Sequence, residues 1–154
     1  MKEVMKKTWV NSIVLIFLIS TLYSCSDTND DLNSIEDKIE QDIVSGTWII
    51  TKFIDSGKDE TSDYNNYNFS FNSDSSLIAN TSNNSYTGTW NISDSNSNDD
   101  SVDDLDFNIH FSTPDDLEEL SEDWSILTNS AKKIELIHVS GGNGGTDLLT
   151  FEKN

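Results

Sequence analysis

Beyond Ile43, apolar and polar residues alternate with a period of two along most of the chain, and clusters of Asn, Asp, Ser and Gly separate the alternating runs. That period puts successive side chains on opposite faces of a strand, one face buried and the other wet. Eight such runs follow one another, at 46–54, 67–71, 77–81, 86–92, 105–111, 124–128, 133–138 and 148–152. The sharpest is the fifth, where Leu105, Phe107, Ile109 and Phe111 share one face and Asp106, Asn108 and His110 the other. A slip of one residue would put all four apolar side chains in water. In the same way Tyr67, Phe69 and Phe71 alternate with Asn68 and Ser70, and Tyr86, Gly88, Trp90 and Ile92 with Thr87, Thr89 and Asn91. Many short strands at steady spacing predict an all-β fold, either a sandwich or an up-and-down barrel.

Two stretches depart from this period. Thr113 has the chemistry of an N-cap, Pro114 suits the first helical position, and Asp115 and Asp116 place negative charge at the positive end of a helix dipole. A turn or two ending near Ser121 would bring Leu117 and Leu120 to one face, where they could cover a barrel end or a sheet edge. Ahead of the strands, residues 26–42 are polar and acidic and predict a solvated tether. Its extended reach would be on the order of 55 to 60 Å. Ile35, Ile39 and Ile43 recur every four residues behind Ser34, a candidate N-cap, so a short helix is expected at the end of the tether.

The amino terminus is patterned differently. Lys2, Lys6 and Lys7 precede an unbroken apolar run from Ile13 to Ile19, the pattern of an export signal. The run is too short to be a spanning helix, which needs roughly 20 apolar residues. Leu22, Tyr23, Ser24 and Cys25 then resemble the lipobox of bacterial lipoproteins. That resemblance implies cleavage before Cys25, loss of the signal peptide 1–24, and a lipidated Cys25 at the head of the tether 25–42. Two or more acyl chains, each buried methylene contributing about 0.8 kcal/mol, would anchor the protein to a membrane without spanning it. Ser26, Asp27, Thr28, Asn29, Asp30 and Asp31 look like the acidic signal that sends some Bacteroidetes lipoproteins to the outer face of the outer membrane, which implies a cell-surface location.

Gly46, Thr47 and Trp48, opening the first strand, resemble the Gly-x-Trp signature of lipocalins, and the same tripeptide returns at 88–90. With the lipobox, the run Ser121-Glu-Asp-Trp124 and the ending Leu149-Thr-Phe151-Glu-Lys, the chain is similar over 43–154 to the lipocalin-like lipoproteins of Bacteroidetes. The resemblance implies an eight-stranded up-and-down barrel, with one short helix between its fifth and sixth strands and Trp48 inside one end. In lipocalins a cation near the end of the last strand packs across this tryptophan. The chain has no arginine, which leaves Lys153 as the candidate.

Composition narrows the function classes. The 154 residues allow one domain with tails, and 28 acidic residues against 9 basic ones give a formal charge of -19. Such a surface repels phosphate backbones, so nucleic acid is excluded as a partner. The single cysteine, Cys25, excludes an intramolecular disulfide and a cysteine-based zinc cluster. Asp94, Asn96 and Asn98 have the alternate spacing of an EF-hand loop, but Asp99 replaces its glycine and Leu105 its final glutamate. The glycine-rich stretch 141–147 approaches a calcium-binding nonapeptide, yet its aspartate comes one residue late and it occurs once. No metal or cofactor is expected on these grounds. Gly-x-Ser-x-Gly, His-Glu-x-x-His and phosphate-binding glycine loops are all missing, His110 falls on a solvated face, and His138 ends a strand, so no enzyme is expected.

The function expected is non-enzymatic binding of a small apolar ligand in the barrel, with a surface interaction module as the alternative. A hollow barrel would hold a small apolar ligand among Trp48, Tyr67, Phe69, Phe71, Trp90, Phe107 and Phe111. If the same side chains fill the interior as a core, the barrel would instead present its loops to a protein or a glycan.

Overall fold

The computed structural model describes residues 29–94, 105–140 and 145–154. Cys25 and the signal segment, the EF-hand-like residues Asn96 to Asp99, and Gly141 to Gly144 lie outside the described residues. Described elements run α1 (Asn29–Ile43), β1 (Trp48–Asp55), β2 (Lys58–Asp59), a 3-10 turn (Thr61–Tyr64), β3 (Asn68–Phe71), β4 (Ser76–Asn80), β5 (Ser85–Asp94), β6 (Leu105–His110), α2 (Asp115–Glu118), β7 (Asp123–Ser130), β8 (Lys133–Val139) and β9 (Thr146–Lys153).

All eight expected strands are present, and each pairs antiparallel with its neighbour. β1 also pairs with β9, from Trp48↔Lys153 to Ile54↔Leu148, which closes the sheet into an eight-stranded barrel. Closure removes the sheet edges that would otherwise invite pairing with other chains. β2 is a two-residue hairpin partner of the end of β1.

Two bulges reconcile the sequence with the pleat. Between Ile50 and Lys52 the β1–β9 register shifts by one residue, so Trp48, Ile50 and Phe53 are all buried although Ile50 and Phe53 are three apart. Between Ile126 and Thr128 a second shift in β7 leaves Leu127 more than half exposed.

The β1–β3 seam is paired only at Trp48↔Phe69. Past that point the backbone groups of Phe53 find other partners. Its N–H donates to Thr61 Oγ1 at 2.8 Å, and its carbonyl accepts from Glu60 N–H at 3.0 Å. Buried backbone groups need such partners, and here the 3-10 segment supplies them as it crosses the barrel end.

One barrel end is therefore closed by the 3-10 turn and α2, and the other by α1. Leu117 and Leu120 are fully buried, as expected of a helix covering a barrel end. The start of α2 differs from expectation. Pro114 occupies the N-cap position, Asp115 is the first helical residue, and no side chain caps the helix. The extended backbone of Pro114, with ψ at 177°, is what a capping residue adopts.

The stretch expected to be a solvated tether is helical from Asn29 onward. Ser34 is an interior helical position and not a cap. Ile39 and Ile43 are buried in the barrel core, with Ile35 packed against it. Helices this short gain most of their stability from tertiary packing. Here the four-residue isoleucine spacing supplies the apolar stripe and the barrel end supplies the surface.

Candidate functional site

The interior comes first, because it is where the sequence places its candidate ligand-binding residues. Trp48, Tyr67, Phe69, Phe71, Trp90, Phe107 and Phe111 are all buried, the most exposed being Tyr67 at 8%. Phe71 stands at their centre. Its ring centroid lies 6.5 Å from Trp48, 5.4 Å from Trp90, 5.6 Å from Phe107 and 5.4 Å from Phe151, each pair edge to face. Trp90 stacks on Phe107 at 5.7 Å, and Tyr67 continues the cluster through Phe69 at 6.0 Å. These are ordinary contact distances for packed aromatic rings.

Phe111 stands apart from that cluster, against Gly88. A Cβ at Gly88 would lie 2.7 Å from the Phe111 ring and 2.4 Å from the His110 carbonyl oxygen, so only glycine fits. The second Gly-x-Trp thus has a packing reason of its own. Phe151 belongs to the interior but was not singled out in the sequence; its alternation with Leu149 is the signal that places it there.

At the α1 end, Gly46 adopts φ +80°, a conformation that side-chain-bearing residues rarely take. The chain can therefore turn sharply from helix into β1. Trp48 is fully buried, and its indole Nε1 donates to the Ile43 carbonyl at 2.9 Å. Lys153 Nζ lies 4.7 Å from the Trp48 ring centroid and donates to the Asp42 carbonyl at 3.1 Å and to Ser45 Oγ at 2.8 Å. The last carbonyls of a helix lack partners within it and carry its negative pole. Two side chains from opposite ends of the strand order, Trp48 and Lys153, satisfy them.

At the opposite end, Tyr64 and Tyr67 converge on α2. Tyr64 Oη donates to the Asp116 carbonyl at 2.5 Å and Tyr67 Oη to Asp116 Oδ2 at 2.8 Å. Burial pushes both phenols well above their ordinary pKa, and nearby carboxylates add to the shift. Both therefore act as fixed hydrogen-bond donors. Beside them, Phe53, Asp55, Glu119, Glu122, Trp124 and Asp147 line a cleft of about 210 Å³. Burial, then the charges of Glu60 and Asp55, raise the Glu119 pKa. Lys58 pairs with Glu60, whose second oxygen, Oε2, is buried and accepts no hydrogen bond from an N–H or hydroxyl donor among the described residues.

His138 has partners that the sequence could not identify. Its Nδ1 lies 3.1 Å from the Asp123 carbonyl and 3.8 Å from Glu122 Oε2, and its ring packs edge-on to Trp124 at 6.1 Å. His110 is exposed, as its strand position implied. Among the described residues, no three His, Cys, Asp or Glu side chains are arranged to hold a metal ion. Two further clefts lie on the outer wall, one over β5, β6 and the start of β7 and one between α1 and the barrel.

No family model and no curated protein matches the chain. Among solved structures, it is similar to the crystal structure of a DUF4847 family protein from Bacteroides vulgatus ATCC 8482, with 16% sequence identity and a TM-score of 0.49, over 75% of this chain and 97% of that one.

Proposed function

We propose that this protein is a non-enzymatic, lipid-anchored surface module of the lipocalin-like type, whose filled barrel presents its outer wall and loops to a protein or glycan. The observation that carries the proposal is the interior. Phe71 is edge to face with Trp48, Trp90, Phe107 and Phe151, and the seven aromatic residues that could have lined a ligand cavity pack as a core. Rings at these distances are in contact with one another, as in a packed core. Both ends of the barrel are also covered, by α1 and by α2 with the 3-10 turn.

The lipocalin-like reading is supported by Gly46, the buried Trp48 and the Lys153 ammonium over its ring. The anchor rests on the lysine-led apolar run and the lipobox ending at Cys25. Three residues, and so four Cα–Cα steps, separate Cys25 from Asn29, a reach of at most about 14 Å. A lipidated Cys25 would therefore hold the α1 end of the barrel near the membrane and turn the α2 end outward.

Native mass spectrometry of the full chain, extracted gently from membranes, tests both parts. The expected mass is the polypeptide from Cys25 onward plus its acyl modification and nothing else. A copurified apolar molecule whose removal changes the emission of the interior tryptophans would restore the hollow-barrel role and overturn the proposal. An unmodified Cys25 thiol in the membrane fraction would refute the anchor.

A further inference from the structure

The outer wall of the barrel has a gap. β5 and β6 stay paired from Asp94↔Leu105 to Thr89↔His110, whereas β6 and β7 pair only from Asp106↔Ser125 to Asn108↔Asp123, because the chain leaves the wall to form α2. Past Asn108 the ladder gives way to a bond from Ile109 N–H to the Glu122 carbonyl, at 3.2 Å, and to Ser121 Oγ, which accepts from Phe111 N–H at 2.9 Å and donates to the Phe111 carbonyl at 3.2 Å. Over this seam lies a groove of about 270 Å³. Thr89, Asn91, Asn108, His110, Glu122 and Asp123 supply its polar lining. The apolar residues that border it, Trp90 and Ile109, are each only 4% exposed, so it offers no socket for an apolar side chain.

The polar groups have spare capacity. Among the described residues, the side chains of Thr89, Asn91 and Asp123 form no hydrogen bond. Asn108 Nδ2 donates to Ser93 Oγ at 2.9 Å, which fixes the amide, and among the described residues its carbonyl oxygen has no partner. A rigid wall therefore presents hydroxyl, amide and carboxylate groups close together, the set that pairs with the neighbouring hydroxyls of a sugar ring, each both donor and acceptor. Glu122 and Asp123 would repel sulfated, phosphorylated or uronic ligands, and no arginine is present to pair with them.

Trp90 and Asn91 also border the cleft of about 190 Å³ between α1 and the β3–β4 turn, where Glu40, Gln41, Asn72 and Ser75 add further polar groups. The two clefts meet on β5. A linear ligand of several sugar rings could follow that path.

We infer that this groove binds a neutral oligosaccharide, an inference that rests on the filled-barrel reading and names the partner class. With His110 the one exposed ring among the described lining residues and no exposed indole or phenyl face for a sugar to stack on, affinity is weak, with Kd on the order of millimolar. The test is a titration of the isotope-labelled full chain, in a detergent without sugar headgroups, with linear neutral tetrasaccharides of glucose, mannose and N-acetylglucosamine. At least one should give saturable shifts of the Asn91 and Asn108 side-chain amides. Asn91→Ala with Asp123→Ala should then weaken binding about tenfold or more while leaving the remaining spectrum unchanged.

Absence of a saturable shift with all three sugars overturns the inference. So do shifts mapping elsewhere, or a lysine-rich peptide occupying the same residues more tightly. Laurate added separately distinguishes the two layers. Saturable movement of the Trp48 and Trp90 indole signals by laurate would overturn the filled barrel, whereas a silent interior with silent sugars overturns the groove alone.

Discussion

Phe71→Ala separates a packed interior from a hollow one. The side chain is 1% exposed and meets four other aromatic rings at centroid distances of 5.4 to 6.5 Å. Removing it loses a transfer contribution of about 1.5 to 3 kcal/mol. If the surrounding rings relax only partly, a residual void on the order of 50 to 100 Å³, at about 24 cal/mol per Å³, adds roughly 1 to 2.5 kcal/mol. The expected loss is therefore about 3 to 5 kcal/mol, a large share of the roughly 5 to 15 kcal/mol that stabilises an ordinary domain. In a thermal melt it corresponds to a Tm lower by on the order of 10 to 20 °C. The void would be lined by aromatic side chains, and apolar cavities stay dry; one of about 150 Å³ admits benzene, a volume this void reaches if the surrounding rings shift slightly outward around the guest. Benzene should accordingly raise the Tm of the variant and leave that of the native protein unchanged. A loss below about 1 kcal/mol, or stabilisation of the native protein by benzene, would mean that the site is already empty and would refute the packing argument.

Three further outcomes follow from the geometry. Lys153→Met removes the ammonium from Trp48 and from the Asp42 carbonyl and should cost about 1 to 2 kcal/mol in urea unfolding, with faster amide exchange in the last turns of α1 than in the barrel; equal exchange in both would refute the docking role of Lys153. Gly88→Ala forces a methyl group to within 2.4 Å of the His110 carbonyl and should cost about 1 to 3 kcal/mol, whereas Thr87→Ala on the wet face of the same strand should change stability by less than about 0.5 kcal/mol. Glu119 has a raised pKa, so between the ordinary carboxylate range and that raised value the folded chain holds a proton that the unfolded chain has released. Its contribution therefore falls as pH rises through that window. Glu119→Gln should flatten this decline in a series of melts from pH 4 to 8, and an unchanged slope would show that the group does not titrate there.

The strands were legible in the sequence because their signal is local. Alternation at Leu105, Phe107, Ile109 and Phe111 needs no knowledge of the partner strand, and all eight runs became strands within two or three residues of their expected limits. The interior candidates were legible for the same reason, since every inward position of an alternating strand reaches the core. Elements held by distant partners were not. Thr61 and Tyr64 lie in a polar stretch with no period, and their roles come from Phe53, eight residues before Thr61, and from Asp116, 52 residues after Tyr64. The isoleucine spacing foretold a short helix, but a helix starting at Asn29 and resting on the barrel depends on Trp48 and Lys153 meeting its last carbonyls.

By itself, then, the sequence determined the strands, their inward faces, the acidic composition and the candidate anchor at Cys25, all of which depend on residue type and spacing along the chain. Only the tertiary structure decided how those inward aromatics meet one another, and where β6 and β7 part beside a groove. Whether space remains between side chains depends on volumes converging from strands far apart in the chain, and the gap past Asn108 exists because two paired strands end at different heights.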